Sequence, residues 1–155
     1  MQQMIQIRRT NSKNADFVAL VASLDAELSE RDGADHAFYD QFNKIEGLKY
    51  TVVLYDDLIP EGCGAIKAFS PKTMEIKRMF VRPNNRGKGF ASRILAALEE
   101  WAVELQCKRC ILETGKRQPE AIQLYQNRGY QRIPNYGQYA GIENSLCFEK
   151  KLKFR

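Results

Sequence analysis

Residues 74–91 decide the fold that the sequence predicts, and they read MEIKRMFVRPNNRGKGFA. Residues 74–81 are typical of a strand that ends at Pro83 and Asn84, and a long helix is predicted to begin near Gly89. The start of a helix carries unpaired N–H groups and a partial positive charge, which together attract phosphate. Gly87 and Gly89 have no Cβ, so an anion can approach this backbone closely. The stretch therefore predicts an anion site between a strand and a helix.

The pattern around this loop leaves its ligand open. Arg86 and Lys88 add positive charge that suits a phosphate. The loop lacks the glycine spacing of dinucleotide-binding folds and of P-loops, so a turn that only requires glycine is the alternative. Within the strand, period-two alternation predicts two faces: Glu75, Lys77, Met79 and Val81 on one, and Ile76, Arg78 and Phe80 on the other.

Length and composition describe an ordinary globular protein. The chain has 155 residues, 44% of them hydrophobic and 28% charged, which predicts one domain over residues 1–155. No apolar run approaches the roughly 18 residues that span a bilayer, and the N-terminus is too short and polar for a signal peptide. A cytoplasmic protein without membrane partners is expected.

Charge raises a competing class of function. The net charge is +5, and six basic residues without an intervening acid lie between Lys77 and Arg93. Such a stretch attracts the phosphates of a nucleotide cofactor or of a nucleic acid. A single tryptophan and the lack of a nucleic-acid-binding motif weaken the second reading, so no nucleic-acid partner is expected.

Four cysteines, at positions 63, 107, 110 and 147, raise the question of zinc or redox chemistry. Cys107 and Cys110 form a single CxxC pair, and the only histidine is His36. A four-ligand zinc site cannot be assembled from these residues locally. The pair is interpreted as small buried hydrophobic residues, and no metal is expected.

Periodicity elsewhere predicts the order strand, two helices, three strands, helix, strand, helix, two strands. Strands are predicted at 3–9, 50–55, 62–69, 74–81, 109–113, 130–133 and 146–152. Helices are predicted at 17–28 after a cap within 11–14, at 35–44, from near 89 to 105, and at 119–128, with Gly33 breaking the first. An antiparallel meander that leads into βαβ units predicts an α/β protein with a mixed α+β sheet.

Three segments resemble one family. Arg86-x-x-Gly89-x-Ala91 resembles the R/Q-x-x-G-x-G/A signature of GCN5-related N-acetyltransferases, and residues 75–83 resemble the strand before it. Residues 118–130, QPEAIQLYQNRGY, are similar to the family's N-x-x-A-x-x-L-Y-x-x-x-G-F/Y segment. The resemblance is strong over residues 62–133, and the order of elements agrees over the whole chain.

The resemblance implies a fold and a cofactor. The fold is that of acyl-CoA N-acyltransferases, a largely antiparallel sheet splayed between strands four and five and flanked by helices. Acetyl-CoA is the implied co-substrate. The implied cofactor-binding residues are Met79, Phe80, Val81, Arg86, Gly87, Lys88, Gly89, Phe90, Ala91, Ser92, Gln118 and Tyr125. Gln118 stands where the family usually has asparagine, so its contact with the pantetheine arm is left open.

The resemblance also suggests three catalytic candidates. Tyr125 matches a tyrosine that points toward the thioester sulfur and is the candidate acid, although a core aromatic is the alternative. Glu75 is a candidate base, although strand glutamates are often surface groups. Glu113 could act as a base through water or could position the loop at Thr114 and Gly115.

The acceptor is predicted to bind near residues 25–47 and 134–145. The first region carries the acids Asp25, Glu27, Glu30, Asp32 and Asp35, which suit a cationic amine or form a solvated helix face. The second carries Tyr136, Tyr139 and Asn144 in a pocket wall or a packed loop. His36 has no assigned role.

The function expected from these features is acetyl transfer from acetyl-CoA to a primary amine of a small molecule, by direct attack in a ternary complex. A catalytically silent acyl-CoA-binding module and a protein or peptide N-acetyltransferase are the alternatives. Strand pairing at the C-terminus makes dimers in this family, so a homodimer is a further expectation.

Overall fold

A computed structural model describes residues 4–40 and 44–153 of the chain. The strands are β1 Ile5–Thr10, β2 Tyr50–Asp56, β3 Ile59–Ser70, β4 Thr73–Val81, β5 Arg109–Gly115, β6 Gln131–Ile133 and β7 Ser145–Lys151. The helices are α1 Ala15–Asp32, α2 His36–Asp40, α3 Phe90–Glu104 and α4 Pro119–Asn127. The predicted order of elements is confirmed.

The largest differences from the predicted bounds lie around the second helix. Residues 33–35 form a short 3₁₀ turn before α2, and Gly33 ends α1 with a φ of 53°. The predicted end at Lys44 is wrong, because this residue is not helical and the chain turns at once, with the Leu48 N–H donating to the Ile45 carbonyl at 3.1 Å. Phe42, assigned to one face of that helix, lies outside the described residues, as does Gln3 of the first strand.

Helix α1 begins where the sequence offers a cap. The Asn14 side chain accepts a hydrogen bond from the Phe17 N–H at 2.9 Å, which satisfies one of the free donors at the helix start. The apolar positions that follow, Phe17, Leu20, Val21 and Leu24, are all buried. They pack against β2 and β3, so α1 covers one face of the sheet.

The seven strands form one sheet in the order β1-β2-β3-β4-β5-β7-β6. Every neighbouring pair is antiparallel except β4 and β5. That parallel ladder contains only residues 73–75 of β4 and 109–111 of β5. Beyond Glu75 the two strands have no shared register, so the sheet splays at this point. The mixed, largely antiparallel fold is confirmed.

Helix α3 packs closely on the face opposite α1. Its buried residues Ile94, Leu95 and Leu98 share a core with β2, β4, β5 and α4. Gly62 of β3 allows this approach, because a Cβ there would lie 2.8 Å from Ile94 Cδ1 and 3.0 Å from the Phe80 carbonyl oxygen. The missing side chain thus sets the distance between helix and sheet.

A β-bulge in β4 overturns the predicted alternation of that strand. Arg78 has a φ of 58°, and the register with β3 shifts between the pairs Cys63–Phe80 and Ala65–Lys77. Two residues of β4 therefore oppose one of β3, which turns the following side chains over. Met79 and Val81 pack into the core with α3, and the grouping of these two with Glu75 and Lys77 is wrong.

Buried Arg78 explains why the bulge is stable. Its guanidinium donates to Asp25 of α1, on the face opposite α3. A buried charge needs such a partner, so the ion pair favours the turned backbone. No local sequence signal indicates this, because the partner lies 53 residues away.

Cys107 and Cys110 are buried in the core with α3, as interpreted from the sequence. Within residues 4–40 and 44–153, no group of three or more His, Cys, Asp or Glu side chains could hold a metal ion. None of the helices in these ranges combines the length and apolarity that a bilayer crossing requires.

Candidate active site

The loop between β4 and α3 has the backbone geometry that the predicted anion site requires. Gly87 and Gly89 have φ values of 82° and 81°, a backbone region that side chains with a Cβ rarely adopt. Gly89 precedes the first turn of α3, and no side chain caps this end of the helix. The N–H groups of the first turn thus remain available, and a helix of 15 residues adds its partial positive charge.

Arg86 fixes this loop to α1 rather than extending into solvent. Its Nε donates to the Val81 carbonyl at 2.9 Å, and its two terminal nitrogens donate to both carboxylate oxygens of Glu27 at 2.9 and 2.8 Å. Hydrogen bonding to Glu27 raises the pKa of the arginine. Arg86 therefore supports the wall of the cleft, with its guanidinium already engaged by Val81 and Glu27.

A cleft of about 390 Å³ runs from this loop into the gap between β4 and β5. The C-terminal half of α1 closes one side and α4 closes another. The lining includes nearly all the predicted site residues: Glu75, Met79, Phe80, Val81, Arg86, Gly87, Gly89, Phe90, Ala91, Ser92, Glu113, Gln118 and Tyr125. Lys88 is the exception; it lies outside the lining, with its Nζ donating to Asn85 at 2.9 Å.

The cleft meets the unpaired edge of β4. The described ladder with β5 ends at Glu75, so residues 79–81 of β4 have no pairing register with β5. On its other edge β5 pairs with β7 along its whole length, from Arg109 to Gly115. A peptide-like chain could add to β4 here through main-chain hydrogen bonds.

Glu113 is held in a buried hydrogen-bond network near the end of β5. The Ser145 hydroxyl donates to Glu113 Oε2 at 2.7 Å, and the same Ser145 oxygen lies 2.8 Å from the Tyr39 hydroxyl. Burial raises the pKa of Glu113 to about 7, while Ser145 and Lys77 oppose this increase. At neutral pH this carboxyl group is therefore close to half ionised, as a general base requires.

Glu75 faces the same cleft but has closer partners. The Tyr136 hydroxyl donates to Glu75 Oε2 at 2.6 Å, and Lys77 Nζ lies 3.8 Å from Oε1. Burial lowers the pKa of Lys77, which Glu75 partly offsets. Glu75 is thus a paired carboxylate inside the site rather than an exposed surface group.

Tyr125 belongs to both the core and the cleft. Its ring packs edge-on against Tyr130 at 5.8 Å between centroids and lies 6.5 Å from Phe148. Burial, with a contribution from Glu113, raises the pKa of its hydroxyl well above 10, so it stays protonated at neutral pH. Within the described ranges no hydrogen bond reaches this hydroxyl, which leaves its proton free for a bound molecule.

The acids predicted near the acceptor have different partners in the structure. Asp25 pairs with Arg78, Glu27 with Arg86 and Arg31, and Asp35 with Arg117. Asp32 is different: only 5% of it is exposed, and it lines the cleft. Its place at the cleft follows from α1 ending there.

Lys77 and Tyr39 line the cleft beside the candidate bases, and the sequence predicted a site role for neither. Lys77 was grouped with the phosphate-attracting cluster, whereas it sits beside Glu75 at the far end of the cleft from the glycine loop. Tyr39 was not singled out, and α2 brings it to Ser145 and Asn144, its hydroxyl accepting from Asn144 Nδ2 at 3.2 Å. In the sequence, Tyr39 is marked only by its position within the predicted acceptor region 25–47. Tyr139, which the sequence does predict near the acceptor, also lines the cleft.

Comparison with known proteins identifies the family. Residues 17–130 match the model of the acetyltransferase (GNAT) family. This chain belongs to the GNAT family. It is 37% identical over 92 residues to the IAA acetyltransferase of Azospirillum brasilense, and 35% identical over 89 residues to the uncharacterized N-acetyltransferase YjgM of Escherichia coli K12. These matches cover 59% and 56% of this GNAT chain, and 60% and 53% of the two relatives, less than two thirds of either.

Solved structures share the fold over nearly the whole chain. A Klebsiella pneumoniae protein assigned as an acyl-CoA N-acyltransferase is 30% identical, with a TM-score of 0.82 and coverage of 97% of this chain and 99% of that one. The N-acetylglutamate synthase of Neisseria gonorrhoeae, solved with coenzyme A and N-acetyl-glutamate, is 20% identical with a TM-score of 0.70. It matches 99% of this chain over 36% of its own length, so its likeness shows the fold alone.

Proposed function

We propose that this GNAT protein transfers the acetyl group of acetyl-CoA to a primary amine of a small molecule, by direct attack in a ternary complex. One observation carries the proposal. A single cleft connects an anion-binding helix start, an unpaired strand edge, a carboxyl group with a pKa of about 7 and a protonated tyrosine.

Acetyl-CoA fits the features of this cleft by its chemistry. Its pyrophosphate matches the free N–H groups at residues 87–92, where Gly87 and Gly89 keep the backbone open. Its pantetheine arm carries amides that match the unpaired backbone of residues 79–81. Gln118, at the start of α4, also lines the cleft and could hydrogen-bond this arm.

The protein's part in the reaction is to move protons. A primary amine is mostly protonated at pH 7 and attacks only after losing a proton. Glu113 is our candidate for the base, since a pKa of about 7 lets it accept that proton at neutral pH. Glu75 is less suited, because Tyr136 and Lys77 already engage its carboxylate.

When bound, acetyl-CoA supplies a thioester whose C–S bond breaks as the new C–N bond forms. Negative charge then develops on the departing sulfur. The Tyr125 hydroxyl, protonated and without a described partner, can donate a hydrogen bond to that sulfur. Interactions that strengthen as charge develops accelerate the reaction most.

The test combines binding and turnover. Acetyl-CoA at 100 times its dissociation constant is expected to stabilise the protein by about 2.7 kcal/mol in thermal unfolding. A panel of small amines is then screened by following free thiol released from acetyl-CoA. Glu113→Gln is expected to lose most turnover, whereas Glu100→Gln, which changes an exposed carboxylate of α3, serves as the matched control.

The outcomes separate the alternatives. No stabilisation by acetyl-CoA would contradict the proposal at its first step. Stabilisation without thiol release from any small amine would favour a silent acyl-CoA-binding module, and release only with peptide amines would favour a protein acetyltransferase. Full turnover in Glu113→Gln would remove Glu113 as the base while leaving the transfer reaction in place.

A further inference from the structure

The far end of the cleft from the glycine loop, which we call the acceptor end, is lined by Asp32, Tyr39, Glu75, Lys77, Glu113 and Tyr139. The charges at this end indicate which charged groups an acceptor can carry. The inference that follows rests on the proposed function, because it concerns the molecule that receives the acetyl group.

Lys77 in this lining, and Arg31 and Arg117 beside it, each lie next to a carboxylate. Lys77 lies beside Glu75, and Arg117 pairs with Asp35 at 3.0 Å. Arg31, at the edge of the cleft, pairs with Glu27 at 3.3 Å and also contacts Glu120. Among the described residues that line this end, the cation Lys77 is therefore already beside a carboxylate, whereas Lys116 is exposed and lines a separate pocket.

Asp32 stands in contrast to these pairs. Only 5% of its surface is exposed, yet it lines the cleft. Its Oδ1 lies 3.8 Å from the position that a Cβ on Gly115 would occupy, so the carboxyl group reaches the end of β5. Across residues 4–40 and 44–153, no hydrogen bond or ion pair engages its side-chain oxygens.

Three features make a negative charge unfavourable at this position. Burial removes solvent, and it is the main reason that the pKa of Asp32 is raised. The residue is also the last of α1, where the helix carries its partial negative charge. A third cost comes from Asp35, which also raises the pKa of Asp32, whereas Arg117, His36 and Arg31 act in the opposite direction. A cation bound beside Asp32 would relieve all three.

We propose that Asp32 binds a second cationic group of the acceptor, so that the preferred substrate class is aliphatic diamines and related polyamines. One amino group lies near Glu113 and receives the acetyl group, while the other forms an ion pair with Asp32. The rings of Tyr39 and Tyr139 in the same lining add surfaces that favour a cation. The bond made is the amide of a monoacetylated diamine, with free thiol as the other product.

The test uses acceptors matched in length and different only in the charge of the far end. They are 1,4-diaminobutane, pentylamine and 5-aminopentanoate, with thiol release from acetyl-CoA giving kcat/KM for each. We expect the wild-type protein to prefer the diamine over pentylamine by at least about tenfold, the scale of one favourable ion pair, and to use 5-aminopentanoate worst.

Asp32→Asn keeps the size of the side chain and removes its charge. In this variant the preference for the diamine is expected to fall to near one, through a higher KM for the diamine and little change for pentylamine. Glu100→Gln, which changes an exposed carboxylate of α3 outside the cleft lining, is the control. It is expected to keep the wild-type preference.

Binding is measured alongside turnover, so that each outcome has one meaning. Calorimetry with coenzyme A present gives the affinity of 1,4-diaminobutane for wild type and Asp32→Asn. Equal affinity in the two proteins, or a wild-type preference for pentylamine or the amino acid, overturns the role of Asp32. Acetyl transfer to pentylamine without diamine preference would overturn this inference alone, whereas diamine binding without any transfer would overturn the proposed function alone.

Discussion

Replacing Glu113 by glutamine removes a carboxyl group whose pKa is raised by burial from an ordinary 4.5 to about 7. The side chain keeps nearly its size, and its amide oxygen can still accept the hydrogen bond from Ser145. The variant therefore isolates the effect of ionisation on stability. Because each pKa unit corresponds to about 1.4 kcal/mol, the displaced pKa of Glu113 corresponds to about 3 kcal/mol of unfolding free energy.

The direction of the pH dependence follows from proton binding. With a folded pKa near 7 and an unfolded pKa near 4.5, the folded protein holds more protons between these values. Raising the pH through this window therefore lowers the stability of the wild type relative to the variant. The free energy of unfolding of Glu113→Gln minus that of wild type is expected to grow by up to about 3 kcal/mol from pH 4 to pH 8, and then to level off.

Urea unfolding at half-unit pH steps from 4 to 9 measures this difference for both proteins. Subtracting the two curves removes the contributions of all other titrating groups. The same ionisation should appear in turnover, where wild-type kcat/KM rises with a midpoint near pH 7 and Glu113→Gln lacks that rise. A stability difference that stays constant within about 0.5 kcal/mol would show that Glu113 titrates normally, and the case for it as the base would fail.

Three further substitutions test other parts of the site and its support. Tyr125→Phe is expected to lower kcat by about 10²-fold or more, the range for a positioned proton donor, with little change in the KM for acetyl-CoA. An undiminished kcat at saturating substrates would contradict the role of Tyr125. Gly89→Ala forces a Cβ onto a φ of 81°, so calorimetry should show acetyl-CoA binding weakened at least tenfold, and urea unfolding should show about 1–2 kcal/mol less free energy of unfolding. Unchanged binding would show that this loop does not hold the cofactor. Gly62→Ala places a methyl group 2.8 Å from Ile94 Cδ1 and should cost about 1–3 kcal/mol of unfolding free energy, and a neutral result would show that α3 can move away.

The parts of the fold that the sequence predicted are those with a local cause. Helix starts and ends follow from capping and glycine, as at Asn14 and Gly33, and the glycine loop follows from its need for a positive φ. The splay of the sheet came from the family resemblance alone. Nothing in residues 73–81 or 109–115 indicates that their ladder stops after three pairs.

The site was predictable in its residues more than in its chemistry. The predicted residues line one cleft, except Lys88, but which face of β4 they occupy depended on a bulge at Arg78 that a distant acid stabilises. Burial raises the pKa of Glu113 and the hydrogen bond from Ser145 partly opposes this rise, and both depend on contacts made only after folding. Tertiary burial and distant ion pairs leave no mark on local periodicity.

The three-pair ladder between β4 and β5 also governs how the two parts of the sheet can move. Strands β1 to β4 form one continuous antiparallel unit, and β5 to β7 form another. The core with α3 spans both units, so side-chain packing as well as this short ladder restrains their movement. An extended ligand can therefore enter the gap beyond this ladder without breaking any hydrogen bond between the two strands.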